Sequence, residues 1–275
     1  MWSISPDGTG ERSQAPLLEV FRVSKAFGGL MALMEVSLCV WPGQIKGLIG
    51  PNGAGKTTLF NLITGMLRPT SGDIRFQGRS IVGLPPYRIA TLGIARTFQN
   101  VQLFPGMTVF EHVLVGGHRH GRSGLLGAIF RTSRMRQEEA EARARAWRIL
   151  ERVGLAEWAD RPAESLPLGL QRILEIARAM ATAPRLLLLD EPGAGLNPAE
   201  KARLVRLIRS LHEEGITVLL VEHDMNLVME LADEIAVLDY GRLIAEGPPE
   251  AIRQDPRVIA AYLGEEDEVR DAARS

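Results

Sequence analysis

The feature that most constrains this chain is Gly50-Pro51-Asn52-Gly53-Ala54-Gly55-Lys56-Thr57-Thr58, directly behind the apolar run Ile45-Lys46-Gly47-Leu48-Ile49. The residues after it, Thr57–Met66, read as a helix stopped near Gly65 and Pro69. Strand, glycine loop and helix in that order fit a cradle for phosphate. Glycines at 50, 53 and 55 let backbone N–H groups and a helix N-terminus surround an anion without an intruding Cβ. Lys56 brings a mobile positive charge to the outer phosphates, and the Thr57 hydroxyl is placed to hold Mg²⁺.

A second element complements the first. Leu186–Leu189 is an apolar strand that delivers Asp190 and Glu191 to its C-terminal end, where ligands sit in open α/β sheets. Asp190 suits the Mg²⁺ shell. Glu191 is the candidate base for an attacking water. Strand Arg185–Asp190, helix Pro198–Glu213 and strand Thr217–Glu222 imply a parallel sheet with crossovers. Ile235–Asp239 and Arg242–Glu246 flank Tyr240-Gly241 as a late hairpin. Nearer the start, Leu18, Val20 and Val23 open a strand, and Val36, Leu38 and Val40 alternate with more polar neighbours. Between residues 99 and 170 the helical signal dominates. Glu139/Arg143 and Glu141/Arg145 are spaced i,i+4, with Trp147, Leu150 and Val153 as an apolar stripe.

Composition bounds the partners. The 275 residues make one large domain or two modest ones. With 32 basic and 33 acidic residues the net charge is −1, so no charge bias points to nucleic acid. Cys39 is the single cysteine and offers neither an internal disulfide nor a thiolate cluster. No apolar run approaches the length of a membrane span. The first fifteen residues hold no secretory signal. Residues 1–16 are expected to be a loose tail and residues 265–275 an acidic one. The stretch 112–137 holds Arg119, Arg122, Arg131, Arg134 and Arg136, interleaved with Leu125, Leu126, Ile129 and Phe130. Two readings stand for it: a contact with membrane subunits or anionic headgroups, or a solvated insertion. His118 and His120 read as incidental rather than as a metal pair.

Together these residues resemble the ATP-binding-cassette ATPases across roughly residues 17–264. The resemblance implies an α/β P-loop fold with three parts. These are a parallel-sheet catalytic core (about 17–98 and 171–248) with an N-terminal antiparallel β subdomain, a helical subdomain (about 99–170) and a C-terminal helix (about 249–264). It implies that Phe27 stacks on adenine, that Gln99 links Mg²⁺ and water to a transmembrane partner, and that His223 touches the γ-phosphate. It implies that Gly50–Thr58 holds ATP, that Thr57, Gln99 and Asp190 serve Mg²⁺, and that Glu191, His223, Lys56 and Gln99 carry hydrolysis. Gly195-Leu196-Asn197 matches the loop that crosses the dimer interface. Arg96-Thr97-Phe98-Gln99-Asn100-Val101, Leu174–Arg178 and the ending Ile259–Gly264 are similar to branched-chain amino-acid importer ATPases of the LivG type.

Such a chain works at the cytoplasmic face of the inner membrane. It docks on permease subunits, pairs with a second cassette and serves a periplasmic or extracellular solute-binding protein indirectly. Related urea, amide or aromatic-acid importers and a lipopolysaccharide-type exporter are the alternatives. A soluble cassette protein would bring a second cassette or a long coiled coil. A GTPase would bring a guanine motif.

The family signature Leu-Ser-Gly-Gly-Gln is here Leu166-Pro167-Leu168-Gly169-Leu170, without the serine and glutamine, and Asn197 stands where the family has Asp. Gly169 and the following helix N-terminus retain part of the anion-binding dipole. In this family each signature completes the partner's nucleotide site, so the weakened one falls on the partner and favours a paralogous mate. Single-turnover hydrolysis with each site inactivated in turn is expected to give unequal rates; equal rates refute the asymmetry.

Overall fold

A computed structural model describes residues 15–99, 101–117 and 133–262. The alternating segments near the start form β1 (Leu18–Phe27) and β2 (Leu30–Val40), paired antiparallel. Leu18, Val20, Val36, Leu38 and Val40 are buried, while Glu19, Ser37 and Cys39 are half-buried. Period two with one dry face is what an antiparallel sheet needs. β4 (Ser71–Phe76) and β5 (Arg79–Ser80) complete a four-stranded antiparallel sheet in the order β2-β1-β4-β5. The sequence signal for β4 is thin, since only Ile74 and Phe76 are buried.

The second sheet carries the phosphate loop. Its strands are β3 (Ile45–Ile49), β6 (Ile94–Arg96), β7 (Leu186–Asp190), β8 (Thr217–Val221), β9 (Glu234–Asp239) and β10 (Arg242–Gly247). The order is β10-β9-β3-β8-β7-β6, parallel except for the β9–β10 hairpin at one edge. This is the expected α/β class, with the expected parallel crossovers and late hairpin. Leu186 and Leu188 face one hydrophobic core, whereas Leu187 and Leu189 face another. A strand buried on both sides explains the unbroken apolar run. The first of these cores lies between the two sheets, where Val20, Val36 and Ile74 meet Leu48, Leu219 and Leu238.

Helices cover the remaining faces: α1 (Lys56–Ile63), α2 (Pro86–Leu92), α3 (Val109–Gly116), α4 (Ser133–Val153), α5 (Leu168–Met180), α6 (Pro198–Glu213), α7 (Met225–Leu231) and α8 (Pro249–Gln254). Residues 256–262 are also helical. Thr108 starts α3 with a capping box, its hydroxyl accepting from Glu111 N and the Glu111 carboxylate accepting from Thr108 N. Ala146, Leu150 and Val153 on α4 and Ile173, Leu174 and Ala177 on α5 form the helical side of the second core. Among the described residues no helix is long and apolar enough to cross a membrane. Of the expected tails at 1–16 and 265–275, residues 1–14 and 265–275 lie outside the described residues. So do His118, Arg119, His120, Arg122, Leu125, Leu126, Ile129, Phe130 and Arg131.

One charge is sealed inside the sheet. The Lys46 side chain on β3 is 1% exposed. Its Nζ donates to Glu234 Oε2 at 3.1 Å and to Glu246 on the adjoining hairpin. Gln44 Nε2 donates to the same Glu234 oxygen at 2.8 Å. The ammonium thereby ties β3 to β9 and β10. Removing one partner of a buried pair leaves the other charges uncompensated. Lys46→Ala is expected to cost about 3 kcal/mol, measured by urea unfolding; a loss below about 1 kcal/mol would show the ties to be dispensable.

Candidate active site

The order β3-β8-β7 sets three C-terminal strand ends side by side. From β3 comes the glycine loop, from β8 the pair Glu222-His223, and from β7 the pair Asp190-Glu191. Gly50 has φ 149°, and a Cβ there would lie 2.0 Å from Leu238 O. At Gly55, φ is 104° and a Cβ would meet Leu33 Cδ2 at 2.6 Å and Ala32 O at 2.8 Å. No larger residue fits either position without moving backbone. Gly53 has φ 78° and open space around it. Ala54 is buried, and its carbonyl accepts from Gly241 N at 3.1 Å, which pins the loop to the β9–β10 turn. Pro51 is buried and Asn52 exposed. Lys56 is buried, its Nζ donating to Gly50 O at 2.6 Å and Pro51 O at 2.8 Å. Thr57 is exposed and Thr58 half-buried.

Glu191 is the meeting point of the site. Gln99 Nε2 donates to its Oε2 at 2.6 Å, and His223 Nε2 lies 2.6 Å from its Oε1. Two residues far apart in sequence thus converge on one carboxylate. The Glu191 backbone has φ 48°, a left-handed conformation that is unusual outside glycine. Glu191 N donates to Val221 O at 2.9 Å, which fixes the turn against β8. Strain held by surrounding bonds is typical of functional positions.

Around this carboxylate other acids are held. Asp190 Oδ2 accepts from Arg96 Nη2 at 2.7 Å, a partner that the sequence reading did not assign to it. Glu222 is buried, accepting from Gly193 N at 2.5 Å and from His223 N at 3.1 Å. Burial pushes its carboxyl above the usual carboxylate range, and the nearby Glu191 charge adds to that. Asp224 caps α7 and accepts from Lys201 Nζ at 2.6 Å; that hydrogen bond holds its carboxyl below the usual range. The loop of His223 is thereby tied to α6.

Phe27 ends β1 and is 47% exposed, with Lys25 Nζ 4.9 Å from its ring centroid. The altered signature also has a local explanation. Pro167 precedes α5 and gives no side-chain cap. Gln171, one position past the family's glutamine, folds back to donate to Leu166 O at 2.8 Å. Gly169 is buried against α6, where a Cβ would lie 2.6 Å from Glu200 Oε1. Asn197 caps α6, its Oδ1 accepting from Ala199 N and Glu200 N at 3.0 Å each. An amide oxygen performs that task as a carboxylate would.

Along α5, Arg172, Glu175 and Arg178 recur every three residues and grip the segment that follows Thr97. Arg172 Nη1 donates to Gln99 O at 2.5 Å, Arg178 Nη1 to Gln102 O at 2.5 Å, and Glu175 Oε1 accepts from Gln102 N at 2.9 Å. Leu174–Arg178 stands out in the sequence only as a subfamily string; its role in this clamp does not, because buried charges look like surface ones until the chain is folded. Beside it lies an apolar groove of about 390 Å³ whose lining includes Phe98, Phe104 and Val115.

The donor set fits Mg²⁺. A threonine hydroxyl, a carboxylate and an amide oxygen are hard ligands, and this ion binds through few protein groups together with substrate phosphates. For Glu222 the sign is set by burial. The native state binds its proton more tightly than the unfolded chain, so this contribution to stability falls as pH rises through the raised value. Thermal unfolding should show wild type losing stability relative to Glu222→Gln as pH rises above the usual carboxylate range; a constant difference would contradict it.

The sequence relationships agree with this geometry. The ABC transporter family matches residues 33–194, and a branched-chain amino acid ATP-binding cassette transporter family matches residues 242–268. The high-affinity branched-chain amino acid transport ATP-binding protein BraF of Pseudomonas aeruginosa is 52% identical over 251 residues, covering 91% of this chain and 98% of that protein. LivG of Escherichia coli K12, which carries the same description, is 49% identical with the same coverage. A crystal structure of the ADP conformation of an ATP-binding cassette superposes with a TM-score of 0.80 at 34% identity, covering 91% of this chain and all of that one. A nucleotide-free cassette gives 0.79 at 34% identity, with 90% and 99% covered. With its glycine loop, acidic strand tip and shared fold, this chain belongs to the ABC transporter family of ATP-binding cassettes.

Proposed function

We propose that this chain is the ATP-hydrolysing subunit of an importer for branched-chain amino acids. The observation that carries the reading is Glu191, held 2.6 Å from both Gln99 and His223 at the strand ends beside the glycine loop. The C-terminal family match at residues 242–268 and the descriptions of BraF and LivG support the solute. They favour it over the urea, amide, aromatic-acid and exporter alternatives.

Phe27 offers its exposed ring to adenine. Gly50, Pro51, Asn52, Gly53, Ala54, Gly55, Lys56, Thr57 and Thr58 enclose the phosphates. Lys56 and His223 stabilise charge on the transferring phosphoryl group. Glu191 orients the water that attacks in line. Thr57, Asp190 and Gln99 would hold Mg²⁺, which when bound neutralises charge on the phosphate oxygens. Gly169 at the start of α5 serves the nucleotide of the partner cassette. Little covalent chemistry is asked of the protein; placement and charge do the rest.

The chain divides by function into a core (about 17–98 and 171–248), a helical part (about 99–170) and a C-terminal portion (about 249–264). The groove beside Phe98 and Phe104 is a seat for a segment of a permease subunit. A second, paralogous cassette completes the two nucleotide sites, and a solute-binding protein acts from the far side of the membrane. In this reading the chain works at the cytoplasmic face of the inner membrane, without a nucleic-acid partner.

Glu191→Gln removes the negative charge with little change in shape. ATP binding is expected to persist while turnover falls at least ~100-fold, read by nucleotide titration and phosphate release. Unchanged turnover would remove Glu191 from its role. In cells that depend on this chain, the same variant should abolish uptake of labelled leucine; intact uptake would sink the solute assignment.

A further inference from the structure

We propose that Arg96 is the positioning residue of Asp190 and that it ties this carboxylate to the groove through Phe98. The proposal rests on the reading that Asp190 serves the metal of an ATPase. It adds a residue to which that reading gives no role.

The pair is sealed, with side chains 8% and 5% exposed. The guanidinium makes a fork. Its Nη2 donates to Asp190 Oδ2 at 2.7 Å, and its Nη1 donates to Asn61 Oδ1 at 2.7 Å and more weakly to Thr64 Oγ1 at 3.4 Å. Asn61 and Thr64 flank the end of α1, the helix that the phosphate loop opens. One planar group therefore fixes the metal carboxylate relative to the phosphate helix. A lysine has a single charged nitrogen on a flexible stem and lacks the rigid fork.

Two rings hold the fork. Phe60, fully buried on α1, has its centroid 5.4 Å from the guanidinium carbon, and Phe98 has its centroid at 5.5 Å. Both distances fall within cation–π range. Arg96 Nε is buried without a hydrogen-bond partner. The group is thus kept in place by its two terminal nitrogens and these rings. Phe98 differs from Phe60 in being 39% exposed, and it lines the groove together with Arg96. It also immediately precedes Gln99, whose amide reaches Glu191. Whatever presses on Phe98 presses on the guanidinium that orients Asp190. A groove occupant would then have two routes into the site, one along the backbone to Gln99 and one through this stack to Asp190.

Groups that orient a metal ligand without touching the metal typically change affinity by 10–100-fold when removed. The test uses the purified full chain with a non-hydrolysable ATP analogue and Mn²⁺ in place of Mg²⁺, bound Mn²⁺ being read by electron paramagnetic resonance. Arg96→Met should weaken Mn²⁺ about tenfold, with affinity for the metal-free analogue changed by no more than about twofold. Phe98→Ala should weaken Mn²⁺ about threefold. Both losses should vanish in an Asp190→Asn background. Unchanged or tighter Mn²⁺ binding, or the same losses without the Asp190 carboxylate, overturns the proposal. Should Arg96→Met fail to fold, Phe98→Ala carries the test alone, since that ring is partly exposed. If Asp190→Asn by itself leaves Mn²⁺ affinity unchanged, the metal reading of Asp190 fails and this proposal falls with it.

Discussion

Everything in the site depends on how closely the glycine loop approaches the sheet. Gly50 runs so near Leu238 O that a Cβ would overlap it, and a Cβ at Gly55 would crowd Ala32 O and Leu33. Those contacts join the phosphate loop to both sheets at once. Gly241 N reaches Ala54 O, and Gly241 O accepts from Met34 N, so the β9–β10 turn is stitched to the loop on one side and to β2 on the other. The loop is therefore a junction between elements as well as a binding surface. Its rigidity comes from backbone packing, where a side chain would only intervene.

A second theme is charge in places that exclude water. Lys46, Arg96, Asp190, Glu175, Arg172, Glu191 and Glu222 are buried or nearly so. An isolated buried charge is costly, and a paired, hydrogen-bonded one is tolerated because its neighbours replace water. Each pairing here also joins separate elements. Lys46 joins β3 to the β9–β10 hairpin, Arg96 joins β6 to α1 and β7, and Arg172 joins α5 to the segment after Thr97. The polar groups of the site converge on Glu191 and Asp190, at the tip of a buried run of four leucines. An apolar strand gives these acids a rigid base, and the polar network decides which way they point.

Much of this was legible beforehand. The helix Pro198–Glu213 has the bounds read for it between its two flanking strands, and the Tyr240-Gly241 turn joins the expected hairpin. β4, α2 and β6 were not legible. They are short, and their apolar positions are too few to set a period. Arg96 was visible as part of a subfamily string, yet its partner Asp190 lies 94 positions away. Glu175 looked like any acid on a helix, and its burial follows only from the packing of α5 against the segment around Gln102.

The chain's own letters determined which chemistry it holds. Closely spaced glycines followed by lysine and threonine have few uses other than enclosing phosphate, and a run of leucines ending in two acids must bury itself and expose its tip. Those constraints are local, since they follow from the size and charge of neighbouring residues. Folding decided the rest: that Gln99 and His223 share Glu191, that Arg96 grips Asp190, and that Gly169 is shut against Glu200. Such contacts join residues dozens to nearly a hundred positions apart. Strand order and helix packing bring them within hydrogen-bond distance, and no short stretch of sequence encodes that distance.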